Sequence, residues 1–235
     1  MTEVEPRRLA QTPHGRECAE MVVLHEDARL LVIDKPAGLL SQPGVRVHDS
    51  VSARAAEARP DAERVALVHR LDMDTSGVLV LAKDAAAHRA LGAQFERRTV
   101  AKRYRALLER PVAAAGGIVA LALRADLDDR PRQIVDSVRG RPSVTRWRRR
   151  TGPDDPDGGV ELVLLPLTGR SHQLRVHAAD PHGLGVPIRG DRLYGAGDGK
   201  QRLCLHAERL AFDHPEDGVR CEVRSPVPFG IDAAP

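Results

Sequence analysis

Aromatic residues are scarce, at 3% of the 235-residue chain. That argues against a protein that binds single strands on a row of stacking platforms. Cysteine is almost absent: Cys18, Cys204 and Cys221 are far apart and odd in number. They form no CxxC pair and no cluster with histidine, so neither a disulfide framework nor a structural zinc is indicated. No apolar run approaches the roughly 20 residues of a membrane helix, and the first 20 residues contain no apolar leader core. A cytoplasmic protein is therefore expected, with its thiols reduced. Neither sign of charge prevails, with 36 Lys and Arg against 33 Asp and Glu.

A hydrophobic fraction of 42% is enough for a sizeable core. Residues 1–20 read as a loose tail, and one domain is expected over 21–235, with no composition break that would mark a linker. Order is expected from Met21–Leu24. The run Leu30–Ile33 reads as a buried strand leading into the turn at Lys35–Gly38, and Val51–Ala58 as a short helix stopped by Pro60. Gly77–Ala82 is a second buried strand. Asp84 is placed to cap a helix through Arg97 whose apolar face is Ala87, Leu91 and Phe95. Further strands are expected at Arg103–Leu108, in short pieces over 117–166, and at Leu203–Phe212 and Val219–Val223. A loop is expected over Thr151–Gly159 and a helix over Ser171–Ala179. Strands outnumber helices without alternating with them, which predicts an α+β fold built on a largely antiparallel sheet.

Charge is concentrated. Between Arg130 and Arg150 there are eight arginines and one acid, Asp136. Such a block suits a polyanion, and equally a solvated strand face or loop.

Three stretches carry chemistry. In His69–Gly77 a carboxylate, Asp72, stands beside Arg70 just ahead of a buried strand, where a rigid element can hold a reactive group. Taken alone, Asp72 reads sooner as a turn cap, and Asp74 is its local rival. Gly169–His177 gathers Arg170, His172, Gln173 and Arg175 at the start of a helix, an arrangement that suits phosphate or a carboxylate. Lys102–Arg105 places Tyr104 among cations. Other motifs fail here. The kinase HRD triplet is interrupted by a leucine. A second carboxylate loop of the aspartic-protease kind is missing, and Gly195–Lys200 lacks P-loop spacing. His69, His172 and His177 have no metal-ligand spacing.

Together with Leu31–Leu39, Pro187–Gly195 and Leu203–Ala207, and in that order along the chain, these stretches resemble the RluA family of pseudouridine synthases. The resemblance implies a pseudouridine synthase fold: a largely antiparallel mixed sheet with flanking helices and a central basic cleft. It implies Asp72 as catalytic aspartate, Tyr104 as the tyrosine against the target base, and Arg175 as the basic partner of the aspartate. Arg70 would enter the RNA helix where the base leaves. Lys35, His69, Lys102, Arg132, Arg170, His172 and Gln173 are expected to contact RNA. The reaction breaks an N-glycosidic bond and rejoins the base through carbon, with no net gain or loss of groups, so no cofactor or metal is expected. The carboxylate could attack sugar or base, or remove a sugar proton. An arginine beside a buried carboxylate favours its charged form.

Two departures stand out. The run Ala178–Val186 is longer than the family pattern, and Val186 stands where a histidine often precedes the proline. Twenty residues ahead of the first strand are too few for the extra N-terminal RNA-binding domain of some relatives. With Arg130–Gln133, this suggests the short branch, a monomer acting on stem-loops of tRNA or 23S-type rRNA. An RNA binder without catalysis and a hydrolase are the competing readings; the second lacks metal ligands and a carboxylate pair.

Overall fold

The computed structural model describes residues 7–9, 21–45, 47–150 and 159–230. Contacts divide the chain into two compact units, 1–102 with 207–225, and 103–206 with 226–235.

In the first unit, β1 (Arg7–Leu9), β2 (Met21–Glu26), β3 (Leu30–Lys35) and β5 (Ser76–Ala82) lie in that order, followed by β11 (Leu205–Asp213). The two-residue β4 (Ala66–Leu67) pairs with β5, and β12 (Arg220–Arg224) with β11. β3 and β5 are unbroken apolar runs because they are central: Leu30, Leu31, Val32, Ile33, Leu79, Val80 and Leu81 are all fully buried. A strand covered on both faces has no polar side to alternate with. Helix α1 (Val51–Glu57) starts at Ser50, whose Oγ accepts from the Ala53 N–H. Helix α2 (Ala85–Arg97) is capped by Asp84 as expected, the carboxylate accepting from the Ala87 N–H at 2.8 Å. Its Ala87 and Leu91 pack with Val78, Val80 and Phe212, and Phe95 packs at the edge of the same cluster.

In the second unit the order is β6 (Ala101–Leu108), β10 (Val160–Pro166), β9 (Arg141–Arg149), β7 (Gly116–Ala125) and β8 (Gln133–Val135). The registered pairings in both units are antiparallel, giving the α+β class the patterning predicts. Helix α3 (Gln173–Ala179) lies over this sheet: Leu174 and Ala178 share a core with Leu162, Leu164 and Trp147. The long run after α3 closes on itself, with the Leu184 and Val186 N–H groups donating to the His177 and Ala178 carbonyls.

The tail expected over 1–20 is corrected at Arg7–Leu9, which pair with β2. Its remaining residues, and all but Gly159 of the loop expected over Thr151–Gly159, lie outside the described residues. Among the described residues no helix is long and apolar enough to cross a membrane.

Candidate active site

Asp72 sits in the turn that enters β5, and the Thr75 N–H donates to its backbone carbonyl at 3.1 Å. Three ties hold this turn. The Lys35 Nζ donates to the carbonyls of Pro36, Leu39 and Met73 at 2.9, 2.7 and 2.8 Å. The Gly38 N–H also reaches the Met73 carbonyl. The Ser41 hydroxyl donates to the Leu71 carbonyl and accepts from its N–H. At the mouth of the strand, Gly77 has φ +114°, and a Cβ there would lie 2.3 Å from the Ala207 carbonyl oxygen. Only glycine permits β11 to approach so closely. The Asp72 side chain is half-buried and, among the described residues of its unit, meets no hydrogen-bond donor. The neighbouring Thr75 hydroxyl is buried with no partner among the described residues. Arg70 is exposed beside them.

One expected RNA contact of this unit is corrected. Lys35 is wholly buried. Burial pushes its ammonium down to about 7, opposed by the attraction of Asp74, Asp72 and Asp34. Its three N–H groups are taken up by three carbonyls, so it clamps the Asp72 turn and cannot reach RNA. His69 is half-buried. Its Nε2 accepts from the Val80 N–H at 3.2 Å and its ring stacks on Phe95 at 4.6 Å. Desolvation, with a smaller push from Lys102, lowers it to about 3. Lys102 is half-buried, and burial with the nearby Arg98 lowers it to about 8.

In the second unit the register aligns Gly117, Trp147, Leu164 and Tyr104 in one row across four strands. Tyr104 therefore stands on the face that α3 covers, half-buried against that core. Gln173 opens α3 and is corrected as an RNA contact, being 3% exposed. Its Oε1 accepts from the Thr168 hydroxyl and the Arg170 N–H; its Nε2 donates to the Val144 carbonyl and to Thr145 Oγ1. This side chain ties the loop before α3 to β9. His172 precedes it at φ +52°. Arg170 is half-buried and reaches the Pro142 carbonyl at 3.3 Å.

Arg175 is buried and bound on two sides by Asp191, at 2.8 and 2.6 Å. Asp191 also accepts from the N–H groups of Leu193 and Tyr194, which closes a turn and fills its Oδ1. The Arg175 guanidinium lies 5.2 Å from the centre of the Tyr194 ring, within cation–π range. The Tyr194 hydroxyl accepts from the Gln133 N–H at 2.7 Å and meets His172 Nδ1 at the same distance. Arg132, paired with Asp129, has its guanidinium 5.9 Å from the same ring. Tyr194 thus gathers Arg132, His172 and Arg175, three of the expected residues. Neither Asp191 nor Tyr194 has a role in the sequence reading. Their signal is the acid-x-x-tyrosine spacing in Asp191–Tyr194, which is that of an Asx turn.

The expected catalytic set is therefore carried on both units, Asp72 on the first and Tyr104 with Arg175 on the second. Each half presents polar groups held by buried hydrogen bonds, which is what preorganised chemistry needs.

The family model for RNA pseudouridylate synthase matches residues 29–180. The dual-specificity RNA pseudouridine synthase RluA of Escherichia coli (strain K12) is 42% identical over 214 residues, covering 89% of this chain and 94% of the relative. Its counterpart in Vibrio vulnificus (strain CMCP6) is 40% identical over 218 residues, covering 90% and 85%. Among solved structures, human RNA pseudouridylate synthase domain containing 1 superposes with a TM-score of 0.74 at 28% identity, covering 91% of this chain and 86% of the other. With this agreement over most of its length, the chain belongs to the RNA pseudouridylate synthase family, enzymes that isomerise uridine in RNA.

Proposed function

We propose that Asp72 is the catalytic carboxylate and that the substrate is a uridine in a stem-loop of tRNA or large-subunit rRNA. The carrying observation is the state of Asp72. Lys35 and Ser41 fix the backbone on either side of it at Met73 and Leu71 and the Thr75 N–H holds its own carbonyl, while its carboxylate is left without a donor in its own unit. A group of that kind is positioned for a substrate atom and not spent on the fold. Tyr104 is the residue proposed to stack on the target base and offer a phenol for proton transfer, and Arg175 is the basic residue of the catalytic set. The target base leaves its helix at a cost of a few kcal/mol, offset by phosphate contacts and by the exposed Arg70 entering the gap. The protein works in the cytoplasm as a monomer, without a cofactor.

Tritium release from RNA carrying 5-³H-uridine tests this reading on bulk tRNA and rRNA. Asp72→Asn is expected to abolish release while RNA affinity changes less than about twofold. Residual release at the wild-type rate would remove Asp72 from the chemistry.

A further inference from the structure

The arginine block has a face of its own. Along β9, Ser143 Oγ meets His177 Nε2 at 2.8 Å, Thr145 Oγ1 accepts from Gln173, and Trp147 packs with Leu174 and Ala178. The odd positions therefore face α3. Side chains alternate along a strand, so Val144, Arg146 and Arg148 point away from it. Arg146 and Arg148 are exposed, and neither side chain makes an ion pair or hydrogen bond among the described residues. The register sets Ile118 and Gly116 of β7 beside them. Ile118 is 62% exposed, and glycine has no side chain to stand between Arg148 and an approaching ligand. Across β6 to β10 the only acid within a strand is Glu161. It is buried and already paired with Arg105 and Arg150.

Same-face neighbours on a strand are roughly 6.5 Å apart, a step comparable to that between successive phosphates of one nucleic-acid strand. The guanidinium fork suits phosphate oxygens, and a positive row without acids gains most from a polyanion. We propose that the β7–β9 face turned away from α3 holds the phosphodiester backbone of the substrate RNA, outside the stem-loop that presents the target uridine. This rests on the RNA-isomerase reading above. It adds a second contact surface that favours large RNAs over isolated loops.

The test compares wild type with Arg146→Gln/Arg148→Gln on a full-length folded RNA and on the stem-loop cut from it. Binding is read by mobility shift and turnover by tritium release. For the full-length RNA, affinity is expected to fall about tenfold and KM to rise equally, with kcat unchanged. The slope of log affinity against log salt should shrink by about 1.4, at about 0.7 for each phosphate no longer neutralised. The isolated loop should bind and react as before. Equal losses on both RNAs, or no loss on either, would overturn the proposal, as would a change of oligomeric state with RNA affinity intact. A wild type with no turnover on either RNA would instead count against the isomerase reading, and the affinity ratio would still decide this one.

Discussion

His177 is 2% exposed, with Nε2 against Ser143 and Nδ1 without a partner among the described residues. Desolvation lowers it to about 4, slightly opposed by Asp180, as it lowers His69 to about 3. In the unfolded chain both titrate near 6.5. Below that pH the unfolded chain binds protons that the folded chain refuses, so stability falls as pH drops from about 6.5 towards 4. The limiting slope is about 1.4 kcal/mol per pH unit for each histidine. Urea midpoints at about pH 7.5 and pH 5 should differ less in His177→Gln than in wild type; an unchanged difference would contradict this origin. Lys35 makes the same point about burial. Its charge alone suggests a surface contact, but its partner Met73 lies 38 positions along the chain, beyond the reach of any local pattern.

At the scale of elements, α3 shows what spacing can and cannot reveal. Leu174 and Ala178 mark a helix with one apolar side, yet Gln173 through Ala178 are all buried. The polar side is covered too, because Gln173 and His177 bond to β9 and Arg175 bonds to Asp191. Gln173→Leu would leave the Arg170 N–H without its acceptor and take one partner each from the Thr168 hydroxyl, Thr145 Oγ1 and the Val144 carbonyl, which still accepts from the Leu167 N–H. It should cost about 1–3 kcal/mol, the cost of one buried orphan donor. Thermal unfolding together with amide exchange along α3 would show it; full protection there would contradict it. The buried strands β3 and β5 and the Asp84 cap are legible because each is written in adjacent residues. The two-residue β4 is not, since Ala66–Leu67 is too short for any periodicity.

Across the whole molecule, composition predicts one domain over 21–235, within which contacts divide the chain into two compact units. No linker marks them, because two of the boundaries fall inside β6 and β11 and so carry strand composition. The near balance of 36 cations and 33 acids leaves a net charge of +3, so attraction for RNA must be local. If Arg132 and Arg170 supply the phosphate contacts to an isolated stem-loop, log affinity should fall with log salt at a slope of about −1.4. A titration in sodium chloride measures it, and a slope near zero would remove these arginines from the interface.

Local order in the chain decided the α+β class, most element positions and the family, because strands, caps and short motifs depend on neighbours within a few residues. The fold alone decided which polar groups are free. Lys35 and Gln173 are consumed inside, His69 is half-buried with Nε2 taken by the Val80 N–H, Arg175 is bound to Asp191, and Arg146 and Arg148 remain exposed. Burial of a charged or polar end depends on partners brought from distant segments, and no run of neighbouring residues records them.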